Sequence, residues 1–253
     1  MKKTVLAALI VFLLGLLTFS SLGLIMFAAE GNPSPAEYPN PHRFQTAIYW
    51  FELADSRQEV FRILGNPQYD IGKNLRIRMD ALNRADFVFM IFYPLFFGFL
   101  AHFVFRYSYR KGRNVLLWRL MLYSVVFMSI VMLFGDFSEN LQLLELTKYQ
   151  HVQDVPESTI ISLQVFTRVK WVAMFAASAG ISLFYFFCFP RLRYLFIALY
   201  LSAAIVGLLA VTQASLKGLL EISGNLYGLA WLTSLIHAGL YFFKHRKERR
   251  ETH

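Results

Sequence analysis

The chain reads LLWRLMLYSVVFMSIVMLFGDFSENLQLLEL from residue 116 to residue 146. Its first part, residues 116–135, is almost entirely apolar and long enough for a helix to cross the hydrocarbon core of a bilayer. Asp136, Glu139 and Asn140 follow at once, and their spacings of three and four place them on one helix face. Charged groups at membrane depth are costly, so this stretch predicts both a membrane span and the position of a polar site.

The composition supports a membrane protein. Hydrophobic residues make up 57% of the 253 residues, which is more than a soluble domain usually carries. The single cysteine, Cys188, excludes a disulfide framework and a four-thiolate metal site. The formal net charge is +9, but the basic residues cluster beside apolar runs. We therefore attribute the charge to membrane topology and expect no nucleic-acid partner.

Apolar runs of spanning length occur six times, which predicts an all-α integral membrane bundle with six transmembrane helices. They cover approximately residues 4–29, 85–105, 116–135, 169–189, 194–212 and 218–243. The first run resembles a signal peptide. However, its apolar stretch is too long for the hydrophobic region of a signal peptide. The end at Phe27-Ala28-Ala29 also has Phe27, and not a small residue, at the third position before the cleavage site. We expect residues 1–29 to remain as an uncleaved anchor. The third helix is predicted to continue to Leu146, and Pro156 is predicted to start the helix that contains the fourth run.

Basic residues predict the orientation of the spans. They precede the first run, follow the sixth, and fill the links between the second and third and between the fourth and fifth. Lys2 and Lys3 precede the first run, and Lys244, Arg246, Lys247, Arg249 and Arg250 follow the sixth. The link between the second and third runs contains Arg106, Arg110, Lys111, Arg113 and Arg119, and the link between the fourth and fifth contains Arg191 and Arg193. With six crossings, all four clusters fall on one side. The positive-inside rule makes that side the cytoplasm, so both termini are predicted to be cytoplasmic.

Residues 30–84 form the one long polar loop, which separates the anchor from a predicted five-helix bundle with a basic tail at residues 85–253. Residues 44–53 predict a short aromatic helix. Ser56 and Glu59 have the spacing of a capping box, which predicts a second short helix ending near Gly65 and Pro67. An apolar stripe opposite charged residues suits a lid packed on the span ends. The alternative is a pair of amphipathic helices lying on the membrane surface.

Helix rise predicts that the polar residues of the spans share one layer. At about 1.5 Å per residue from the cytoplasmic ends, the ionisable residues of four spans lie at about 28–33 Å. The predicted cluster consists of Asp86, Asp136, Glu139, Asn140, Lys170, Glu221 and Asn225. Lys170 is the expected counter-ion of Asp136 or Glu139. The cluster is either a clamp that holds the helices in register or a pocket open to the outside for an ion, a proton or a lipid head group.

Three functions fit such a cluster. The first is a binding or support protein whose acidic layer holds a cation or a lipid head group. The second is a membrane-embedded enzyme acting on a lipid-borne substrate at the outer leaflet, with Asp136 and Glu139 as acid and base and Lys170 orienting an anionic group. The third is a proton- or ion-coupled transporter. A closed lysine–carboxylate cluster without a cavity would favour the binding or support protein. A pocket open to lipid would favour the enzyme, and a polar path towards the cytoplasm would favour the transporter.

Three elements carry a resemblance to a known group of proteins. They are Asp136-Phe-Ser-Glu139-Asn140, the stretch from Asp86 to Tyr93, and Lys170-Trp171. Together they resemble uncharacterised bacterial multi-pass inner-membrane proteins that carry a D-x-x-E-N element after an apolar helix. The resemblance covers the second to fourth spans. It implies a bacterial cytoplasmic membrane and importance of these positions, and it supplies no reaction.

Other residue patterns add little chemistry. His102 and His237 are predicted at similar depth, a spacing that a b-type haem would need, but nothing else marks a haem pocket and we predict no cofactor. No H-E-x-x-H pair or G-x-S-x-G element occurs in the sequence, and we predict no metal site. Gly224 and Gly228 form a G-x-x-x-G pattern that predicts close approach of the sixth span to another helix. The expected partner is the lipid bilayer, and the oligomeric state is left open.

Overall fold

Helices make up most of the chain that the structure describes. A computed structural model describes residues 2–29, 43–109 and 115–251, and within these residues it contains eight α-helices and no strand. They are α1 (Lys2–Ala29), α2 (Ala47–Glu52), α3 (Arg57–Leu64), α4 (Asp70–Tyr109), α5 (Val115–Leu146), α6 (Glu157–Cys188), α7 (Arg193–Thr212) and α8 (Leu219–Glu251). All except α2 and α3 are long and apolar enough to cross a membrane. The prediction of an all-α bundle with six spans is confirmed.

The helix ends that carry the basic residues meet at one end of the bundle. Phe12 of α1 and Phe243 of α8 contact each other with ring centroids 5.8 Å apart. Tyr107 near the end of α4 stacks on Phe189, directly after α6, at 4.4 Å. We call this the basic end, and the opposite end, where α2 and α3 lie, the capped end. Arg110, Lys111 and Arg113 of the predicted cluster lie outside the described residues, as do residues 30–42 of the loop.

The second span belongs to a longer helix than predicted. The boundary placed at residue 85 falls inside α4, which begins at Asp70 and contains Pro94. Arg76 explains the extension, because its guanidinium lies buried and fixes the helix start to two other segments. Its Nη1 donates to the carbonyl oxygens of Thr147 and Tyr149 at 3.2 and 2.9 Å, and its Nη2 donates to that of Gly65 at 3.2 Å.

The two short helices form a compact unit. The Ser56 hydroxyl accepts a hydrogen bond from the Glu59 backbone at 3.2 Å, as the capping prediction requires. The Glu59 carboxylate, however, accepts from the Asp55 backbone and from the indole of Trp50, both at 2.7 Å. The reciprocal bond of the capping box is therefore displaced by one residue. Since Glu59 contacts both helices, it joins α2 to α3.

Side chains from the spans hold this unit against the bundle. Lys217, which precedes α8, donates to the Leu53 carbonyl at 2.8 Å and pairs with the Asp55 carboxylate. Gln164 of α6 donates to the Asp55 carbonyl at 3.2 Å. Phe51 is fully buried. These contacts favour the lid interpretation of the loop over helices lying on the membrane surface, so α2 and α3 act as a cap.

Candidate functional site

A single lysine joins three carboxylates where α2, α5 and α6 meet. Lys170 Nζ lies 2.5 Å from a Glu139 carboxylate oxygen, 3.0 Å from one of Glu52 and 3.3 Å from one of Asp136. All four residues are buried. We call them the lysine cluster. The expected counter-ion role of Lys170 is confirmed, with both predicted partners engaged at once.

Close packing of two spans explains why the charges meet. Gly135 precedes Asp136 on α5, and a Cβ atom at this position would lie 2.8 Å from the Lys170 backbone nitrogen and 3.1 Å from its Cα atom. Only glycine therefore allows α5 to approach α6 this closely. The approach brings Asp136 and Glu139, which follow on the same helix, within reach of the lysine.

Neutral donors bond to one oxygen of each carboxylate of the lysine cluster. The Thr167 hydroxyl is 2.9 Å from Glu139, and the Trp171 indole nitrogen is 3.3 Å from Glu52. The Tyr93 hydroxyl donates to Asp136 at 2.7 Å. Such bonds are needed because a buried ion pair repays its desolvation only when its other polar atoms are also satisfied. The cluster is thus a clamp between two spans and the cap.

Asp86 and Asn140 form a second pair beside the lysine cluster. Asn140 Nδ2 donates to Asp86 Oδ2 at 2.6 Å, joining α4 to α5. Asn140 is buried, whereas Asp86 keeps partial exposure. The predicted meeting of Asp86, Asp136, Glu139, Asn140 and Lys170 is therefore observed. Within this group, Asp86 is the carboxylate without a direct contact to Lys170 among the ion pairs of the described residues.

Burial alters the titration of the cap residues that reach the cluster. Removal from water raises the pKa of Glu52 above its ordinary value, and the positive charge of Lys170 opposes this rise. Burial also raises the pKa of Tyr49, with the Glu52 carboxylate adding to the effect. Glu52 is consequently a group whose charge depends on its contact with Lys170.

A cavity of about 700 Å³ lies beside the cluster, between α1, α2, α4, α6 and α8. We call it the lateral cavity. Its charged lining consists of Glu52, Asp86, Asp136 and Lys170. Its opposite rim is apolar and consists of Met26 of α1 with Leu229 and Leu232 of α8, which are 68%, 53% and 42% exposed. In a bilayer such side chains contact lipid, so the cavity connects the lipid-facing surface with buried charge.

The spacing between α1 and α8 explains the opening. Nearer the basic end the two helices touch, since a Cβ atom on Gly15 would meet Leu235 and one on Gly239 would meet Phe12. Towards the capped end they separate around the cavity. The close approach to another helix that the Gly224 and Gly228 pattern predicts is observed only at Gly224, where the neighbouring helix is α2 of the cap and not a span. A Cβ atom on Gly224 would meet the Tyr49 hydroxyl of the cap, and one on Gly228 would meet nothing within 4 Å.

Aromatic rings form much of the cavity wall. Phe89 stacks on Tyr93 with centroids 4.8 Å apart, and Tyr93 stacks on Trp231 at 5.9 Å. Tyr49 and Trp171 form another pair at 6.2 Å. All five residues line the cavity. An aromatic wall beside carboxylates offers both the faces of π-systems and negative charge to a ligand.

Two polar atoms of the wall are buried without a hydrogen-bond partner. They are the indole nitrogen of Trp231 and the hydroxyl of Tyr227, on residues that are 6% and 1% exposed. Both residues line the lateral cavity. Buried donors that lack partners are uncommon and costly. The wall therefore contains unused capacity for hydrogen bonding.

Glu221 and Asn225 have no direct bond to the lysine cluster, which corrects the prediction of a single polar cluster. Glu221 accepts from the backbone nitrogens of Gln45 and Thr46 at 2.8 and 2.6 Å and from the Thr46 hydroxyl at 2.9 Å. It therefore anchors the chain before α2. Asn225 is exposed and lies between the lateral cavity and a shallow neighbouring pocket of about 330 Å³.

Glu139 does not lie where an acid–base role requires it, in contact with the cavity. It is fully buried and bonded to Thr167 and Lys170, and it does not belong to the cavity lining. Asp136 does line the cavity. The predicted acid–base pair of Asp136 and Glu139 is therefore not presented to a common ligand, because Glu139 lies behind the wall.

His102 and His237 lie near the basic end, away from this site. His237 Nδ1 is 3.0 Å from the Tyr185 hydroxyl, and its ring contacts Phe189 at 4.7 Å. His102 Nε2 is 3.4 Å from Arg106 Nε. Within residues 2–29, 43–109 and 115–251, no group of three His, Cys, Asp or Glu residues is arranged to hold a metal ion.

Sequence reasoning missed Glu52 and the role of the aromatic wall. The signal for Glu52 was present, because α2 reads AIYWFE and this acid is the one charged residue in an otherwise apolar and aromatic helix. A carboxylate in such a setting needs a buried partner. Tyr93 and Trp171 entered the sequence analysis through the resemblance alone, and Trp231 had no signal beyond its position on a span.

Comparisons with protein-family models, with curated proteins and with solved structures found no match.

Proposed function

We propose that this protein binds an amphiphilic molecule of the membrane in the lateral cavity, with the polar head at the charged lining and the apolar part between α1 and α8. The observation that carries the proposal is the composition of one cavity lining. It combines Asp86, Asp136 and Lys170 with the lipid-facing residues Met26 and Leu229. Neither a soluble ion nor a purely apolar molecule would use both surfaces.

The dimensions of the cavity support this function. Ligand pockets typically enclose about 300–1,000 Å³ and combine mainly apolar walls with a few polar groups. The lateral cavity, at about 700 Å³, falls within this range and has that composition. A lipid head group with the first part of its chains would fill it, and the rest of the chains would extend past the exposed residues of α1 and α8.

The proposal includes the membrane and the side on which the site opens. The basic residues at the end opposite the cap support a cytoplasmic location for that end, following the positive-inside rule. The cavity, close to the cap, would then open to the outer leaflet of a bacterial cytoplasmic membrane. The resemblance of the D-x-x-E-N element to those of bacterial inner-membrane proteins agrees with this location.

Filling the cavity tests the proposal. The variant Gly228→Leu adds a side chain where a Cβ atom meets no neighbour, and Gly228 lines the cavity. The matched control is Gly23→Leu, because Gly23 on α1 is also free of neighbours but does not line the cavity. We expect native mass spectrometry to detect phospholipid on the wild-type protein and on Gly23→Leu, with at least a tenfold loss in Gly228→Leu. Equal retention by all three proteins contradicts the proposal.

A membrane-embedded enzyme is the second candidate, and it shares the same cavity. The lateral opening towards lipid favours it, and the carboxylates available to a bound ligand are Asp86 and Asp136. They would act as acid and base on a lipid-borne substrate. Incubation with membrane lipids followed by mass spectrometry distinguishes the two functions. New lipid products that are lost in Asp136→Asn support the enzyme, whereas unchanged lipid supports binding alone.

A further inference from the structure

The charge balance of the lateral cavity favours a positively charged ligand. Three carboxylates, those of Glu52, Asp86 and Asp136, line it together with Lys170. Among the lining residues that the structure describes, Lys170 is the one with a positive charge, and three carboxylates already surround its ammonium group. An anionic head group would have to displace one of these carboxylates. A cationic head group would instead balance the negative charge that Lys170 leaves uncompensated.

The aromatic wall of the lateral cavity favours an organic cation over a metal ion. Phe89, Tyr93 and Trp231 form a cluster of three rings beside Asp86 and Asp136, with each pair of ring centroids no more than 5.9 Å apart. The faces of such rings attract ammonium groups, which shed water more readily than small metal cations and lie against a ring within about 6 Å of its centroid. Lys170 itself shows this contact, with its Nζ atom 5.3 Å from the ring centre of Trp171.

Unpartnered donors in the wall indicate that the ligand also carries oxygen acceptors. The Trp231 indole nitrogen is buried without a partner, and indole can only donate. The neighbouring Tyr227 hydroxyl is also unpartnered and can donate as well. An ester or phosphodiester oxygen near the ammonium group would satisfy both. This second observation is independent of the acidic residues.

We propose that the head group bound in the lateral cavity is an organic ammonium, held by Asp86 and Asp136 and by the stacked rings of Phe89, Tyr93 and Trp231. This inference rests on the proposed function and adds the charge class of the ligand. Asp86 is the expected first contact, because it is partly exposed and lies outside the contacts of Lys170. Its one side-chain bond, from Asn140, leaves acceptor capacity on the carboxylate.

Two phospholipids with identical acyl chains test the charge class. Purified protein in a neutral detergent is mixed with equal amounts of phosphatidylethanolamine and phosphatidylglycerol, and bound lipid is measured by native mass spectrometry. We expect about a tenfold or greater preference for phosphatidylethanolamine. In Asp86→Asn the preference should fall by about tenfold, which corresponds to one charge-assisted hydrogen bond. Glu52→Gln is the second variant, in case Asp86→Asn does not fold, and should lower the preference in the same direction.

Soluble competitors separate recognition of the ammonium group from recognition of the whole lipid. Dodecylammonium should displace the bound phospholipid, whereas dodecanol, with the same chain and no charge, should not. Equal binding of both phospholipids, equal displacement by both competitors, or an unchanged preference in both variants overturns the ammonium assignment while leaving amphiphile binding intact. Loss of phospholipid in Gly23→Leu as well as Gly228→Leu, or no bound amphiphile at all, overturns the proposed function together with this inference.

Discussion

Removal of the Lys170 charge should destabilise the protein strongly. In Lys170→Met the side chain keeps a similar length, but three buried carboxylates lose the ammonium group that lies within 3.3 Å of each of them. Removing one partner of a buried ion pair costs about 3–5 kcal/mol, because the remaining charge has no compensation. At about 2–4 °C per kcal/mol for a chain of this size, the expected fall in melting temperature is about 6–20 °C.

An exposed pair provides the control for this variant. Lys148 lies 2.7 Å from Glu145, but the two side chains are 66% and 45% exposed. Exposed pairs contribute about 0.2–1 kcal/mol, so Lys148→Met should lower the melting temperature by at most about 4 °C. The two variants thus remove the same charge with the same substitution, and they differ in the burial of the pair.

The single cysteine provides the assay. Cys188 is 2% exposed and lies 2.5 Å from the Ser108 hydroxyl, so a maleimide dye should react with it only as the bundle opens. Fluorescence during a thermal ramp in detergent then reports unfolding without an added label site. If Lys170→Met melts within about 3 °C of the wild type, or no lower than Lys148→Met, the lysine cluster is not the clamp that we describe.

Two further variants test the clamp. Glu52 has a pKa raised by burial, so its contribution to stability is present below the ordinary glutamate pKa of about 4.3 and is lost as the pH rises through its folded-state value. The stability of the wild type relative to Glu52→Gln should therefore fall as the pH rises above about 4.3, measured in thermal ramps of both proteins at each pH, and a constant difference would contradict this. Gly135→Ala should cost about 1–3 kcal/mol, because its Cβ atom meets the Lys170 backbone, whereas Gly98→Ala, with its nearest neighbour at 3.9 Å, should be neutral or stabilising. Equal melting temperatures for the two alanine variants would show that α5 and α6 can separate at no cost.

The sequence predicted the depth of the polar residues but not their direction around each helix. A fixed rise per residue gave the common level of Asp86, Asp136 and Lys170, and these residues do line one cavity. Glu221 has a similar depth but contacts Thr46 at the start of the cap. Depth along an axis follows from counting residues. The face that a side chain presents depends on helix rotation, which is set by packing against neighbouring helices.

The contact between Glu52 of the cap and Lys170 escaped prediction for a related reason. Helical spacing relates residues within one span, but no such spacing connects Glu52 in a loop helix with Lys170 on α6, 118 positions later. The same limit applies to Gly224, whose spacing with Gly228 is that of a helix–helix contact although its neighbour is the Tyr49 hydroxyl. Contacts between a loop and a span depend on the tertiary fold alone.

The lateral cavity argues that the polar cluster does more than hold the bundle together. A clamp needs Lys170, its carboxylates and the bonds from Thr167, Tyr93 and Trp171, and none of these needs a cavity. Filling the space at Gly228 with a side chain would add packing contacts. The chain instead leaves open space beside a partly exposed carboxylate. Because this arrangement forgoes stability, it is best explained by an amphiphile that occupies the space and supplies the missing contacts.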